Sequence, residues 1–163
     1  FYGKLVSLAK QGGIPVIVDT SGALLAETVK AKPTMIKPNT DEIGHFWEEE
    51  FNPAGGHRRR LGAAPIRDSL CGGVLRKGWL GYACEEGIFQ GITPDIPVVN
   101  TVGCGDSMVA GFAAAMARGK GPEEMLRLAT AVSTANALTM QTGHFEQEDL
   151  DRVLPLTAVK KIK

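Results

Sequence analysis

The sequence predicts an α/β fold, and three observations predict it. The β-branched run Val16-Ile17-Val18 lacks the polar alternation of a half-exposed strand. It reads as a strand buried on both faces, as in a parallel sheet. Strand and helix signals then alternate at short intervals as far as Glu50, the pattern of right-handed crossovers between parallel strands. Further on, the apolar segment Ile96-Pro97-Val98-Val99 leads into a glycine-bracketed turn and directly into a helix.

Each element has its own signal. Gly12-Gly13 precedes the first strand, and Thr20-Ser21-Gly22 turns the chain, with Ser21 as the cap of a helix to about Lys30. Lys32-Pro33 breaks that helix, and Met35-Ile36-Lys37 forms the second strand. Asn39 is placed as the N-cap of a helix traced by Ile43, Phe46, Trp47 and Glu50. Asn52 to Arg76 carries Gly55-Gly56, His57-Arg58-Arg59-Arg60, Pro65 and Cys71-Gly72-Gly73, with no convincing strand or long amphipathic helix. Its basic run fits a phosphate patch or a solvated loop, and basic runs are usually the latter. Trp79 to Cys84 and Ile88 to Ile92 pair as a β-hairpin around Glu85-Glu86-Gly87, with Gly87 free to take positive φ. Ile96 to Val99 is expected as a short strand, with Pro97 at its start or at an edge. Met108, Val109, Phe112 and Met116 share a face of a helix ending near Gly119. Pro122-Glu123-Glu124 opens the next helix, with Met125, Leu128, Ala129, Val132 and Asn136 facing inward. A last short helix runs from about Gln147 to Leu154 and stops before Pro155.

Composition narrows the function. At 163 residues the chain is one domain or a large piece of one, and 44% hydrophobic with 22% charged residues argues against disorder. Eighteen Lys and Arg balance eighteen Asp and Glu, so no excess positive charge points to nucleic acid. No apolar run nears the roughly 20 residues a membrane helix needs. Cys71, Cys84 and Cys104 are odd in number and lack C-x-x-C spacing, which argues against a disulfide framework and a four-thiolate zinc site. His45, His57 and His144 are too scattered to complete a metal site. A reducing cytoplasm is the expected compartment. The start, Phe1-Tyr2-Gly3-Lys4-Leu5, has no initiator Met or secretory pattern and begins as though in mid-helix. A fragment, or a chain whose start lies elsewhere, is expected.

The chemistry concentrates in Val98-Val99-Asn100-Thr101-Val102-Gly103-Cys104-Gly105-Asp106-Ser107. Gly103 and Gly105 let the backbone bend sharply and expose its amides. The amides from Gly103 to Asp106 lack intrahelical partners and lie at the positive end of the helix dipole. Such a turn favours an anion, above all developing negative charge. Asp106 beside it either caps the helix or serves as a base. An anion hole and a carboxylate on one turn are what phosphoryl transfer to an alcohol requires. Cys104 suits a small-residue position. A thiol at a helix start can also be nucleophilic, but a cysteine hydrolase needs a nearby His that the sequence does not supply.

The string from Asn100 to Phe112 resembles the C-terminal signature of the ribokinase-like sugar kinases, the phosphofructokinase B family. It is most similar to the 1-phosphofructokinase and tagatose-6-phosphate kinase branch. Lys37-Pro38-Asn39-Thr40-Asp41-Glu42 resembles the family's N-x-x-E motif with its preceding Lys-Pro. The stretch Ala129 to Thr139, with Ala135-Asn136-Ala137-Leu138-Thr139, resembles the helix flanking the adenine pocket. The resemblance covers nearly the whole chain except Asn52 to Arg76.

It implies a ribokinase-like, doubly wound, mostly parallel sheet with a small β-hairpin, of which residues 1–163 form the C-terminal, nucleotide-binding part. The ligand site is then expected at the C-terminal ends of the strands. Asp106 becomes the catalytic base, and Gly103, Cys104 and Gly105 the anion hole. Asn39 and Glu42 help hold Mg²⁺ and phosphate, largely through water; the same two residues also fit a helix N-cap and its capping-box partner, and both roles can coexist. Asn136 becomes an adenine-pocket residue, although a polar residue on a buried helical face is more often satisfied by neighbouring protein groups. The implied reaction is ATP-dependent phosphorylation of a phosphorylated ketohexose, fructose 1-phosphate first and tagatose 6-phosphate second. The alternative is a truncated, catalytically silent nucleotide-binding module. The implied partners are the sugar phosphate and either a second copy of the chain or the missing N-terminal half.

Three departures stand out. Family members are about double this length, and their first half supplies most sugar-binding residues. The family's Ser-Leu-Gly-x-x-Gly before the hairpin reads Gly73-Val74-Leu75-Arg76-Lys77-Gly78 here, with Gly78 the good match to a cofactor-binding position. The atypical segment 52–76 looks like divergence or a local change of reading frame. Asn100 stands where many members carry an Asp beside a monovalent-cation site, which weakens the expectation of potassium dependence, although Asn is familiar in the phosphofructokinase branch.

Overall fold

Strands β1 (Ile17–Val18) and β2 (Met35–Ile36) pair in parallel, Ile17 opposite Met35, and β3 (Leu70–Val74) continues the parallel ladder with Leu70 opposite Met35. The structure, a computed structural model, describes residues 1–38, 70–74 and 79–162 and divides into two units, Phe1–Leu75 and Arg76–Lys163. The N-terminal unit holds the parallel strands with helices α1 (Tyr2–Gln11) and α2 (Gly22–Val29), which pack on each other. Its core is Val6, Val18, Leu25, Val29, Met35 and Ile36. The Met35 and Lys37 amides donate to Val16 and Val18 carbonyls, and Lys37 reaches Asp19 at 3.1 Å where the two strands end.

Ser21 occupies the N-cap of α2 as expected, but its side chain makes no cap bond there. β3 is a strand inside the stretch where sequence patterning gave none. Two of its five residues are Gly72 and Gly73, which offer no side chain to pack and so erase the strand signal. The helix expected from Asn39, the basic run at 57–60 and Gly78 lie outside the described residues.

The C-terminal unit is antiparallel. β4 (Trp79–Cys84) and β5 (Gly87–Ile92) form the expected hairpin, joined by Glu85-Glu86, with Gly87 at φ 136°. A further strand, β6 (Ala158–Lys161), adds to β5 with Gly91 opposite Val159. It was not anticipated, because its alternation is masked by two lysines; Lys161 lays its ammonium 5.6 Å from the Phe89 ring centre. Helix α3 (Cys104–Ala117) packs on α4 (Pro122–Asn136), and α4 packs on β5 and on α5 (Gln147–Val153). α5 ends before Pro155 as expected, and a separate 3₁₀ turn, Leu154–Leu156, follows it through the proline.

The buried face of α3 is Ser107, Met108, Gly111, Phe112 and Ala115, while Val109 and Met116 are half-buried. Gly111 permits the close approach of the two helices, because a Cβ there would stand 2.6 Å from Ala129 Cα. Phe112 stacks at 5.4 Å on Tyr82 of the sheet, and its full burial is worth about 1.5–3 kcal/mol. α4 is buried on more than one side: Leu126 is inside and Leu128 is the half-buried residue, the reverse of a single inward stripe.

The strand expected at Ile96 to Val99 does not form. Val98 and Val99 are exposed, and the amides of Val99 and Asn100 both donate to the Ala137 carbonyl, at 2.8 and 3.2 Å. The end of α4 leaves carbonyls without helical partners, and this segment satisfies one of them instead of joining a ladder. Among the described residues, no helix is long and apolar enough to cross a membrane.

Candidate functional site

The turn from Asn100 to Asp106 is shaped by three local devices. Asn100 accepts the Val102 amide at 3.0 Å through Oδ1 and donates from Nδ2 to the Met140 carbonyl at 3.1 Å. Its side chain therefore closes a local turn and ties it to the segment after α4. Gly103 is the N-cap of α3 at φ 84°, ψ −5°, a left-handed conformation that glycine alone adopts cheaply. A Cβ on it would stand 2.6 Å from the Gly143 nitrogen and 2.9 Å from Thr142, so the 142–143 segment fits directly behind the bend. The third device is Asn136, fully buried at the end of α4. Its Oδ1 accepts the Ser107 hydroxyl at 3.1 Å, and its Nδ2 donates to the Val102 carbonyl at 3.0 Å and to Cys104 Sγ at 3.3 Å.

The result is a set of amides held open. The Ser107 amide makes the first helical bond, to the Gly103 carbonyl at 2.9 Å. The Cys104 amide is turned back toward the Thr101 carbonyl at 3.3 Å, longer than the usual 2.9–3.0 Å (roughly) of an N–H···O bond. The amides of Gly103, Gly105 and Asp106 have no partner among the described residues. Of the three amides expected in the hole, those of Gly103 and Gly105 are open, Cys104 is partly committed, and the Asp106 amide joins them.

Asp106 is exposed, at the third position of the helix, and its carboxylate has no hydrogen bond or ion pair among the described residues. It does not reach back to the N-cap amide as a capping-box acid does. A free carboxylate and three open amides on one turn can receive an anionic group and accept a proton beside it. Asn136 is in the same neighbourhood but beneath the turn, with no exposed surface. Asn39, Glu42 and Gly78 lie outside the described residues. Two contributors escaped sequence reading. Gly143 and Thr142 carry no motif; their role is steric and emerges only when the bend is seen against them. The bracing by Asn100 depends on a contact forty residues away.

Residues 2–149 match the pfkB family carbohydrate kinase model. A tagatose-6-phosphate kinase of Staphylococcus epidermidis is 34% identical over 157 residues, covering 94% of this chain and 51% of that protein. The chain spans about half the length of the curated relatives it matches. Phosphofructokinase-2 from Escherichia coli in complex with potassium superposes with a TM-score of 0.79 at 26% identity, covering 95% of this chain and 51% of the other. The same enzyme in complex with substrates and products gives 0.76 at 26% identity, covering 94% and 51%. These solved structures have the ribokinase-like fold expected from the sequence. With the family model matched over residues 2–149, this chain belongs to the pfkB family of carbohydrate kinases.

Proposed function

We propose that the turn ahead of α3 receives the terminal phosphates of ATP and that Asp106 is the base for phosphoryl transfer to a phosphorylated ketohexose. The observation that carries this reading is the coincidence of three open amides, of Gly103, Gly105 and Asp106, with an uncommitted carboxylate on the same turn. The sugar hydroxyl gives its proton to the Asp106 carboxylate, and its oxygen forms a bond to the γ-phosphorus. The bond from that phosphorus to the ADP oxygen breaks, and ADP leaves. The amides hold charge on the phosphoryl oxygens through the transfer, which is where such donors lower the barrier. Mg²⁺, when bound, neutralises phosphate charge; Asn39 and Glu42 would hold it, largely through water.

Fructose 1-phosphate and tagatose 6-phosphate are the two acceptors to compare. The 34% identity to a tagatose-6-phosphate kinase supports the second more strongly than sequence motifs alone. The protein partner expected is a second copy or a polypeptide supplying the remaining half of the kinase. Calorimetry with MgATP, beside a coupled assay on both sugar phosphates, tests the reading. Binding with turnover supports the kinase. Because the chain spans about half of its relatives, a second reading stands: a catalytically silent nucleotide-binding module. Binding without turnover supports that one, and no MgATP binding removes both.

A further inference from the structure

We infer that Asn136 is a positioning residue that holds the phosphate cradle open from beneath. This rests on the nucleotide reading of the turn and replaces a contact with adenine as the role of this side chain. Asn136 has no exposed surface, so nothing in solution reaches its amide without moving α3 or α4. Both of its N–H donors and one acceptor site are engaged, and every partner belongs to the turn or the first turn of α3: the Val102 carbonyl, Cys104 Sγ and the Ser107 hydroxyl.

These three anchor points bracket the open amides. The Val102 carbonyl precedes Gly103, Cys104 lies between Gly103 and Gly105, and Ser107 follows Asp106. Drawing carbonyl, thiol and hydroxyl down into the core leaves the intervening N–H groups facing the other way. The Gly103 φ of 84° completes the inversion. A cradle for developing charge works because its dipoles need not reorganise when the charge arrives. Asn136 supplies that rigidity from α4, a helix buried in the core. The neighbouring Ala137 carbonyl adds to it by accepting the Val99 and Asn100 amides, so the last residue of α4 and its C-cap together stitch down the segment.

The test uses the 163-residue chain and two probes, ATP and inorganic tripolyphosphate, which has the phosphates without a base. Asn136→Ala is expected to speed exchange of the three bonded amides of the turn, those of Val102, Cys104 and Ser107, by about tenfold or more, through loss of the buried hydrogen bonds beneath them, while exchange in the middle of α4 is unchanged. Affinity for both probes falls by the same factor. Ser107→Ala, which removes one of the three contacts and keeps a good helix former, gives the same pattern at smaller size and carries the test if Asn136→Ala does not fold. Unchanged exchange across the turn overturns the inference. So does a loss confined to ATP, which assigns Asn136 to the base. If the unmodified chain binds neither probe, the nucleotide reading falls by itself, and the exchange measurement still decides whether Asn136 holds the turn.

Discussion

Helices α3 and α4 begin alike on paper. Each has a glycine N-cap, an acid in its first turn and no side-chain cap bond, and each presents the positive end of a helix dipole. Their starts nevertheless differ in what they offer a ligand. In α4, Gly121 is extended at φ −72°, ψ 169°, and Pro122 at the first helical position has no N–H to give. Glu123 and Glu124 stand in its first turn, and Lys120 pairs with Glu124 at 3.1 Å, so the end is occupied by its own charges. In α3 the N-cap is left-handed, no proline removes a donor, and the turn is tied down from behind by Asn136 and backed by Gly143. The dipole is common to both. What differs is the backbone: at α3 the amides of Gly103, Gly105 and Asp106 have no partner among the described residues, and buried Asn136 holds the turn around them.

The largest test of this contrast removes the carboxylate. In a kinase completed to its full length, Asp106→Asn is expected to cut turnover by roughly two to four orders of magnitude, the span of general-base catalysis, with ATP affinity little changed. Steady-state kinetics beside calorimetry reads both, and near-normal turnover refutes the base assignment. The next effect comes from the bend itself. Gly103→Ala forces a side chain into a left-handed conformation and against the Gly143 nitrogen. A stability loss of about 1–3 kcal/mol in urea unfolding is expected, with weaker tripolyphosphate binding. If stability and binding both survive, the close fit behind the turn is unimportant.

The sequence made this half of the contrast legible for a physical reason. Glycines bracketing a turn between an apolar segment and a helix mark a sharp local bend, so the turn itself can be read from neighbouring residues, although the contacts that hold it cannot. The hairpin was legible for the same reason, since its turn and its two apolar runs are neighbours in the chain. What could not be read depends on distant partners. Val98 and Val99 have the composition of a strand, but their segment spends its donors on the end of α4, more than thirty residues away. β3 hides behind paired glycines and β6 behind lysines, and each is a strand because of the ladder beside it. Asn136 was visible as a polar residue on an inward face, yet whether it met a nucleotide or the protein turned on contacts that only the folded chain displays.

The remaining predictions concern the α4 end, where small effects are the expectation. Lys120 and Glu124 are exposed, and such a pair at helical spacing contributes about 0.3–0.5 kcal/mol, screened by salt. Glu124→Gln is expected to lower stability by that amount at low ionic strength and by less at high, as urea titrations at two salt concentrations would show.

Gly121→Ala is the sharpest counterpart to Gly103→Ala, and its effect should be the smallest. A Cβ at Gly121 meets nothing within 4 Å, and the extended conformation is the one a residue before proline prefers. Alanine reduces the freedom of the unfolded chain, a gain of about 0.4–1 kcal/mol. It is also a poorer N-cap than glycine, a loss of similar size. The two nearly cancel, so stability within about 0.5 kcal/mol of the parent is expected. One glycine at a helix start would then be replaceable and the other not, although the helix dipole behind them is the same. A large loss at Gly121 would mean that glycine N-caps in this fold serve a shared structural need, and the left-handed bend at Gly103 would no longer distinguish a ligand site.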